Sequence, residues 1–395
     1  MKYELTEGGL VVHLEGRVDS GNAAAFEGEL LSLAAEHPNS VVELDATCLE
    51  YISSAGLRVM MKLMKQHKAG SRVTNANSEV YEIFEVTGFS GLIEVSKALR
   101  EVSVEGCDLI GSGGFGRVYR TDPETIVKVY NAGLSLDMVQ RERDTAQKAF
   151  LAGVPTAISY DVVRCGESYG VVYELLNAKT VAQILDSDRS RVGEMGAKSA
   201  RLLKQLHDIQ MDAGTLPDRK AEFLEWLPNV APIMEPSEAD EIRAFIESVP
   251  DCDTFLHGDF NSKNVMVQDN GEFVLIDIGD AALGHPVFDV AGVILPYVYL
   301  PQSQMPEEEK RRLLGFHMED APKMWEAICG TYFGVDDSED IQRITKELMP
   351  YAQLLSSYHG TRRCGFDRDY MTRVSLIGIR QRLLPSIRGA KPLDW

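Results

Sequence analysis

The chain has 395 residues, enough for two or three domains rather than one core, and its 44% hydrophobic and 25% charged residues are those of an ordinary globular protein. Sixty acidic against 40 basic residues leave a formal charge of −20, and neither part is basic: residues 1–104 carry −6 and the remainder −14. That balance repels phosphate backbones and anionic lipid, which disfavours general nucleic-acid or membrane-surface binding, while a cationic substrate is compatible with it.

The N-terminus, MKYELTEGGLVVHLEG, alternates like a strand and lacks the apolar core of a signal peptide. No stretch approaches the ~20 uninterrupted apolar residues of a membrane span. The cysteines (Cys48, Cys107, Cys165, Cys252, Cys329 and Cys364) form no C-x-x-C pair. Their scatter argues against a zinc site or disulfide framework and suits reduced cytosol, so a cytoplasmic location is expected.

Residues 1–100 read as strand, strand, helix, strand, helix, strand, helix. Leu10–Leu14 and Val41–Leu44 are short β-type runs, and Gly21–Ala35 has helical spacing, with Ala24, Leu30, Leu31 and Leu33 available to a core. A second helix over Ala55–Lys68 presents Leu57, Met60, Met61 and Met64 as a core stripe, and a third over Ser78–Val86 stops at Thr87-Gly88. The pattern breaks at Glu101–Gly106. A β-rich stretch follows from near Cys107: three strands and a helix to about Leu151, then two strands to Leu176. Beyond that the chain is mostly helical, apart from a β-type pair at Val265–Val267 and Phe273–Ile276. The proline-bearing segment Leu216–Pro236 reads as a loop or insertion. Two domains are expected, 1–103 and 106–395.

Within the second domain, Gly111-Ser-Gly-Gly-Phe-Gly116-Arg-Val118 fits G-x-G-x-x-G-x-V, with Gly111, Gly113 and Gly116 in the glycine places. Glycines let backbone N–H groups approach phosphate oxygens, although Gly-rich hairpin turns are common. Its setting between two β-runs favours a phosphate cover of the kinase type over a Rossmann turn. Lys128 interrupts an apolar strand ten residues after Val118. It either faces solvent or holds the α- and β-phosphates of a nucleotide. Glu142, on the apolar face of Met138 and Val139, is the best partner for it on the next helix; a solvated helix charge is the alternative.

The strongest signal is Leu256-His257-Gly-Asp259-Phe-Asn-Ser-Lys-Asn264, followed thirteen residues after Asn264 by Asp277 at the end of an apolar β-run. Phosphoryl transfer needs an acidic group near the acceptor hydroxyl and oxygen ligands for magnesium. Asp259 fits the first need, as catalytic base, and Asn264 and Asp277 fit the second. ATP and Mg2+ are the expected cofactors.

Residues 107–395 resemble the protein-kinase-like superfamily, and most closely its aminoglycoside and choline phosphotransferase branch, in which His-Gly-Asp replaces the His-Arg-Asp of eukaryotic-type protein kinases. Leu203-Lys-Gln-Leu206-His207 resembles the helix that precedes that branch's insertion. Gly284-His-Pro-Val-Phe-Asp289-Val-Ala resembles its Gly-Asp-Pro…Asp-Leu-Ala segment, which implies that Asp289 braces the catalytic loop. The resemblance also implies a bilobal α+β fold, with an N-lobe of about 106–177 and a C-lobe of about 178–395, and adenine held by backbone groups of Glu174 and Leu176. The loop GSGGFGRV departs toward protein kinases. Against that, only twelve residues separate Asp277 from Asp289 and no Ala-Pro-Glu follows, which leaves little room for a peptide-docking segment.

Near the N-terminus, Asp45-Ala-Thr-Cys-Leu-Glu-Tyr51-Ile-Ser53-Ser54-Ala-Gly56-Leu57 puts two serines at a helix start, where a serine caps exposed N–H groups and Gly56 allows close packing. This segment and its preceding strand resemble STAS domains, the α/β fold (a mixed sheet with helices) of bacterial anti-sigma-factor antagonists. The resemblance implies phosphorylation at Ser54 and an anti-sigma-factor-type partner. Ser53 departs from the aspartate of many antagonists, and the family also holds unphosphorylated members, so both states of Ser54 stay open. A phosphotransferase for a small hydroxylated or amino-containing molecule, joined to a regulatory STAS domain, is the leading functional expectation. The alternatives are a signalling kinase acting on a STAS serine such as Ser54, and an inactive nucleotide-binding scaffold.

Overall fold

The structure, a computed structural model, describes residues 1–6, 8–363 and 371–390, so Cys364 lies outside the described residues. The chain divides into two compact units, Met1–Ser103 and Val104–Trp395. Among the described residues no helix is long and apolar enough to cross a membrane. Cys48, Cys107, Cys252 and Cys329 are free thiols.

In the first unit β1 (Lys2–Thr6) pairs antiparallel with β2 (Gly9–Val18). From β2 the sheet continues in parallel through β3 (Val42–Ile52), β4 (Ser71–Ala76) and β5 (Glu94–Lys97). Helices α1 (Ala23–Glu36), α2 (Ser54–Gln66) and α3 (Ser78–Val86) connect successive parallel strands. Crossovers of one hand that always step the same way return on the same side of a sheet. The strands alternate accordingly: Leu10, Val12, Val42, Leu44 and Val73 are buried. On the opposite face Glu43 accepts from Arg72 and Thr74, and His13 lies 2.9 Å from Asp45. Leu30 and Leu33 enter the core as expected, but Ala23 is buried where Ala24 was expected. Strand β5 was not foreseen, because four residues with a single apolar side chain, Val95, are too short to show alternation. A two-residue strand, β6 (Arg100–Glu101), follows.

The second unit opens with an antiparallel sheet in which β7 (Asp108–Ser112), β8 (Gly116–Arg120), β9 (Thr125–Tyr130), β10 (Ser159–Cys165) and β11 (Ser168–Glu174) lie in the order β10-β11-β9-β8-β7. Helix α4 (Leu136–Leu151) is started by Ser135, whose side chain accepts from Met138 N–H, with Asp137 in the first turn. After β12 (Ala178–Thr180) come α5 (Val181–Ser187) and α6 (Val192–His207).

The segment Leu216–Pro236, expected as a loop or insertion, is largely helical, so the loop alternative does not hold. It holds α7 (Arg219–Val230), a 3-10 turn at Ala231–Ile233, and the start of α8 (Pro236–Glu247). Asp218 caps α7 by accepting from Ala221 N–H at 2.6 Å. Pro228 inside α7 costs about 3 kcal/mol. Burial of Phe223, Trp226, Leu227 and Val230 on one face, at about 1.5–3 kcal/mol per side chain, outweighs it.

Four short strands then fix the two loops that matter. Strand β13 (Phe255–Leu256) leads into residues 257–264, and β14 (Val265–Gln268) leaves them; β15 (Phe273–Leu275) leads into residues 276–281, and β16 (Ala282–Leu283) leaves them. Because β13 pairs with β16 and β14 with β15, the two loops are pinned side by side at both ends. Helix α9 (Val287–Ile294) and helices Ala321–Phe333 and Ser338–Arg363 complete the core beneath them.

We expect chains 1–103 and 106–395, expressed separately, each to be soluble and to unfold cooperatively by circular dichroism, because each unit has its own hydrophobic core. Failure of both, with the joined chain stable, would overturn that boundary.

Candidate active site

Strand β9 carries Lys128 into the centre of a carboxylate pair. Its Nζ donates to Glu142 Oε1 of α4 at 2.6 Å and to Asp277 Oδ1 at 2.8 Å. Lys128 therefore does not face solvent; its side chain is 15% exposed. Burial alone would lower the ammonium's pKa, but the carboxylates of Asp277 and Glu142 outweigh it and hold the pKa above the ordinary lysine value. Lys128 also lies over the Tyr130 ring, 5.2 Å from its centroid. Burial pushes the phenols of Tyr130 and Tyr173 up, so both stay neutral beside the pair. Glu142 shares the buried face of Val139, whereas Met138, expected on that face, is 52% exposed.

Two backbone features make this contact possible. Asp277 is in the left-handed region, at φ 61°, a conformation rare outside glycine that re-aims its side chain at the end of β15. Two residues on, a Cβ on Gly279 would stand 3.1 Å from Glu142 Cδ, so a bare glycine lets the glutamate lie over the turn.

The glycine-rich segment forms the tip of the β7–β8 hairpin, closed by Gly113 N–H donating to Gly116 O at 2.9 Å. Its glycines have different reasons for being there. A Cβ at Gly116 would meet the Val129 carbonyl oxygen at 2.2 Å, so this position requires close backbone approach. Gly113 has open space around it, which suits a loop that other atoms approach. Asn131, which the sequence did not single out, steadies the tip by donating to Gly114 O at 2.8 Å.

Asp259 sits in the loop between β13 and β14. Asn261 Nδ2 donates to its Oδ1 at 3.1 Å and Asn264 Nδ2 to its Oδ2 at 3.0 Å, so each carboxylate oxygen has one amide partner and a remaining lone pair. The residue is open to solvent, yet the crowding of protein around it raises its pKa; His257 works the other way, and the carboxylates of Asp280 and Asp277 add to the rise. Such a shift moves a carboxylate toward the basicity useful in proton transfer.

Asp289, at the start of α9, lies directly beneath this loop. Its oxygens accept from the N–H groups of His257 at 2.7 Å and Gly258 at 2.8 Å, and His207 Nε2 lies 3.4 Å away. Burial would raise the Asp289 pKa, but bonds from His207 and Gly258 lower it overall. At Gly258, φ is +83° and a Cβ would be 2.1 Å from Asp280 O, so no other residue fits without moving the loop.

The fit of a divalent cation can be judged from the donors. Both hydrogen-bonding contacts of the Asn264 amide nitrogen go to Asp259, which leaves the amide oxygen for a cation. Asp277 receives Lys128 on one oxygen while its side chain stays 45% exposed. Among the described residues no three His, Cys, Asp or Glu side chains gather into a metal site. Two protein oxygens completed by phosphates and water are what Mg2+ commonly takes, so the donor set fits. At the expected adenine site, Glu174 N–H donates to Ile158 O at 3.0 Å, and Leu176 lies two residues past the end of β11.

In the first unit, Ser53 caps α2, accepting from Gly56 N–H at 3.4 Å, and Ser54, the first residue of the helix, is exposed. A Cβ on Gly56 would collide with Ile52 and Val18 side chains at 2.7 and 2.8 Å. Asp45 accepts from both N–H and Oγ1 of Thr47 and from Asn75; although burial opposes it, these bonds lower its pKa.

The phosphotransferase enzyme family matches residues 109–324, more than half of the chain, and the STAS domain family matches residues 1–102. A Bordetella bronchiseptica protein named as an anti-sigma factor antagonist, BtrV, is 36% identical over 95 residues, which are 23% of this chain and 81% of that protein. Among solved structures, the complex of gentamicin with APH(2")-IIa is 16% identical with a TM-score of 0.47, covering 79% of this chain and 99% of that one. The Plasmodium vivax ethanolamine kinase is 14% identical with a TM-score of 0.46, covering 91% and 95%. With Lys128, Glu142, Asp277, Asp259 and Asn264 gathered in the matched region, the chain belongs to the phosphotransferase enzyme family and carries a STAS domain at its N-terminus.

Proposed function

We propose that this protein transfers the γ-phosphoryl group of ATP to a hydroxyl of a small molecule, with the STAS domain regulating it or recruiting a protein partner. The observation that carries this reading is Lys128 bridging Glu142 and Asp277 in the same unit that sets Asp259 against Asn264. Lys128 would hold the α- and β-phosphates, and Asn264 and Asp277 would hold Mg2+, which when bound neutralises charge on the phosphate oxygens. Asp259 orients the acceptor O–H and takes its proton as the new O–P bond forms and the bond to the ADP oxygen breaks.

A small acceptor is favoured over a peptide by the short run between the two loops' anchors. After Asp277 the chain makes one 3-10 turn, enters β16 at Ala282, and begins α9 at Val287. No peptide-docking segment intervenes there. The exposed Ser54 supports a second role: a phosphate there would add about −1.5 to −2 charge at a helix N-terminus and change what that surface binds. Retention of all five residues of the site speaks against a scaffold without catalysis.

Three outcomes test the roles. Titration of ATP by calorimetry should show binding enhanced by Mg2+ in the natural protein and much less so in Asp277→Ala; equal enhancement in both removes Asp277 from the metal site. Lys128→Met should keep the circular dichroism spectrum and lower phosphoryl transfer by about 10²-fold, the order seen when one charge-stabilising donor is removed; unchanged turnover would leave the lysine without a role. General-base help is worth about 10²–10⁴ in rate, or roughly 3–5 kcal/mol. Asp259→Asn should therefore slow transfer by that factor and leave ATP affinity within about threefold. Full transfer by Asp259→Asn to an identified acceptor would show that another group, or none, takes the proton.

A further inference from the structure

Arg219 is among the largest fully buried side chains of the protein, at 2% exposure, and none of the motifs accounts for it. It is the first residue of α7, far in sequence from both loops of the site. A surface arginine at a helix start would be unremarkable, but this guanidinium runs inward. Its Nη2 donates to the backbone carbonyl of Asp280, the last residue of the turn that begins at Asp277. Its Nη1 lies 3.0 Å from Glu222 Oε2, one turn along the same helix. The guanidinium carbon stands 6.0 Å from the centroid of the Tyr358 ring.

The same nitrogen also touches the catalytic loop. A Cβ on Gly258 would lie 2.7 Å from Arg219 Nη2 as well as 2.1 Å from Asp280 O. The missing side chain at 258 is thus the space through which a guanidinium from another element reaches under the loop. On the far side, Gly284 leaves room for the stem, since a Cβ there would be 3.2 Å from Arg219 Cβ. Leu283 N–H donates to Pro217 O at 2.8 Å, which ties the start of α7 to β16. One side chain therefore contacts the segment carrying Asp259 and the turn carrying Asp277.

A buried arginine is costly unless its charge and its donors are met. Here Glu222 stands at ion-pair distance, although its Oε2 accepts no hydrogen bond, and the hydrogen bond of the guanidinium goes to Asp280 O. Burial raises the Glu222 pKa overall, and the neighbouring Arg219 offsets only part of that rise. Simple packing would be served more cheaply by an apolar side chain, whereas a guanidinium N–H donated to a backbone carbonyl fixes direction as well as distance.

We propose that Arg219 is a positioning residue for phosphoryl transfer, locking the turn after Asp277 against the Gly258 backbone so that Asp259 and Asp277 keep their spacing. This inference rests on the reading of Asp259 as base and Asp277 as metal ligand. Misplacement of a reacting group by about 1 Å can cost 10²-fold in rate without loss of binding.

The test uses the full chain, radiolabelled ATP with Mg2+, and phosphate release to water. Arg219→Met, Arg219→Lys and Asp259→Asn are compared with the natural protein for release rate, ATP dissociation constant and thermal midpoint. In Arg219→Met we expect release to fall by 10- to 100-fold with ATP affinity within threefold, and Arg219→Lys, which keeps the charge but not the fork, to recover only part. Should Arg219→Met fail to fold, Arg219→Lys carries the same split between rate and affinity. Unchanged release in a folded Arg219 variant, with Asp259→Asn slowed, overturns the role of Arg219 and leaves the base in place. Rate and affinity lost in equal measure would mark Arg219 as packing alone and also overturn it. Unchanged release in Asp259→Asn removes the base reading, and the inference with it.

Discussion

The site depends on one half-buried ammonium. Lys128 is the point where strand β9, helix α4 and the turn after β15 meet, and its two carboxylate contacts at 2.6 and 2.8 Å are what hold those elements in register. Around it the charges do not balance. Glu142, Asp277, Asp280 and Asp259 are all carboxylates near one lysine, so a polyphosphate entering alone would meet net negative charge. The Lys128 contacts therefore have two consequences. They keep the lysine charged where protein crowds it, and they leave the second oxygen of Asp277 and the amide oxygen of Asn264 as the donors that the proposed cation would take.

A second constraint is the support of the two loops from beneath. Asp289 receives the two N–H groups at the head of the catalytic loop, and the paired strands β13–β16 and β14–β15 clamp both loops at their ends. Arg219 fills the gap beneath Gly258. Together these leave Asp259 open to solvent on a buried floor, the rigid support that the proposed base would need.

The residues that meet in the candidate site were legible as candidates because they stand at motif spacing. Lys128 breaks an apolar strand, Asp259 and Asn264 keep their offset, and Asp277 ends a β-run. What escaped was set by tertiary contact. Arg219 looks like a solvated helix charge until Gly258, thirty-nine residues later, shows the space it enters. Pro228 suggested a loop, but its neighbours Phe223, Trp226, Leu227 and Val230 bury enough apolar surface to keep α7 helical. Strand β5 was too short for its period to register, and Met138 fell outside the core because the helix face turns on Val139. In the first unit the two serines at the start of α2 were readable as capping residues, since capping is local chemistry, and Ser53 is the one that caps; α2 begins at Ser54, one residue before the Ala55 expected, and Asn77, which caps α3, was not singled out.

The central claim is that Lys128, Asp277 and Asn264 form the phosphate and metal end of a nucleotide site. A crystal structure of the full chain with a non-hydrolysable ATP analogue and Mn2+, with the metal located by anomalous scattering, tests it most directly. The account expects the Mn2+ peak about 2 Å from oxygens of Asp277 and Asn264, with Lys128 Nζ hydrogen-bonded to the α- or β-phosphate. A nucleotide bound with its metal away from Asp277 and Asn264, and Lys128 out of reach of the phosphates, would contradict it.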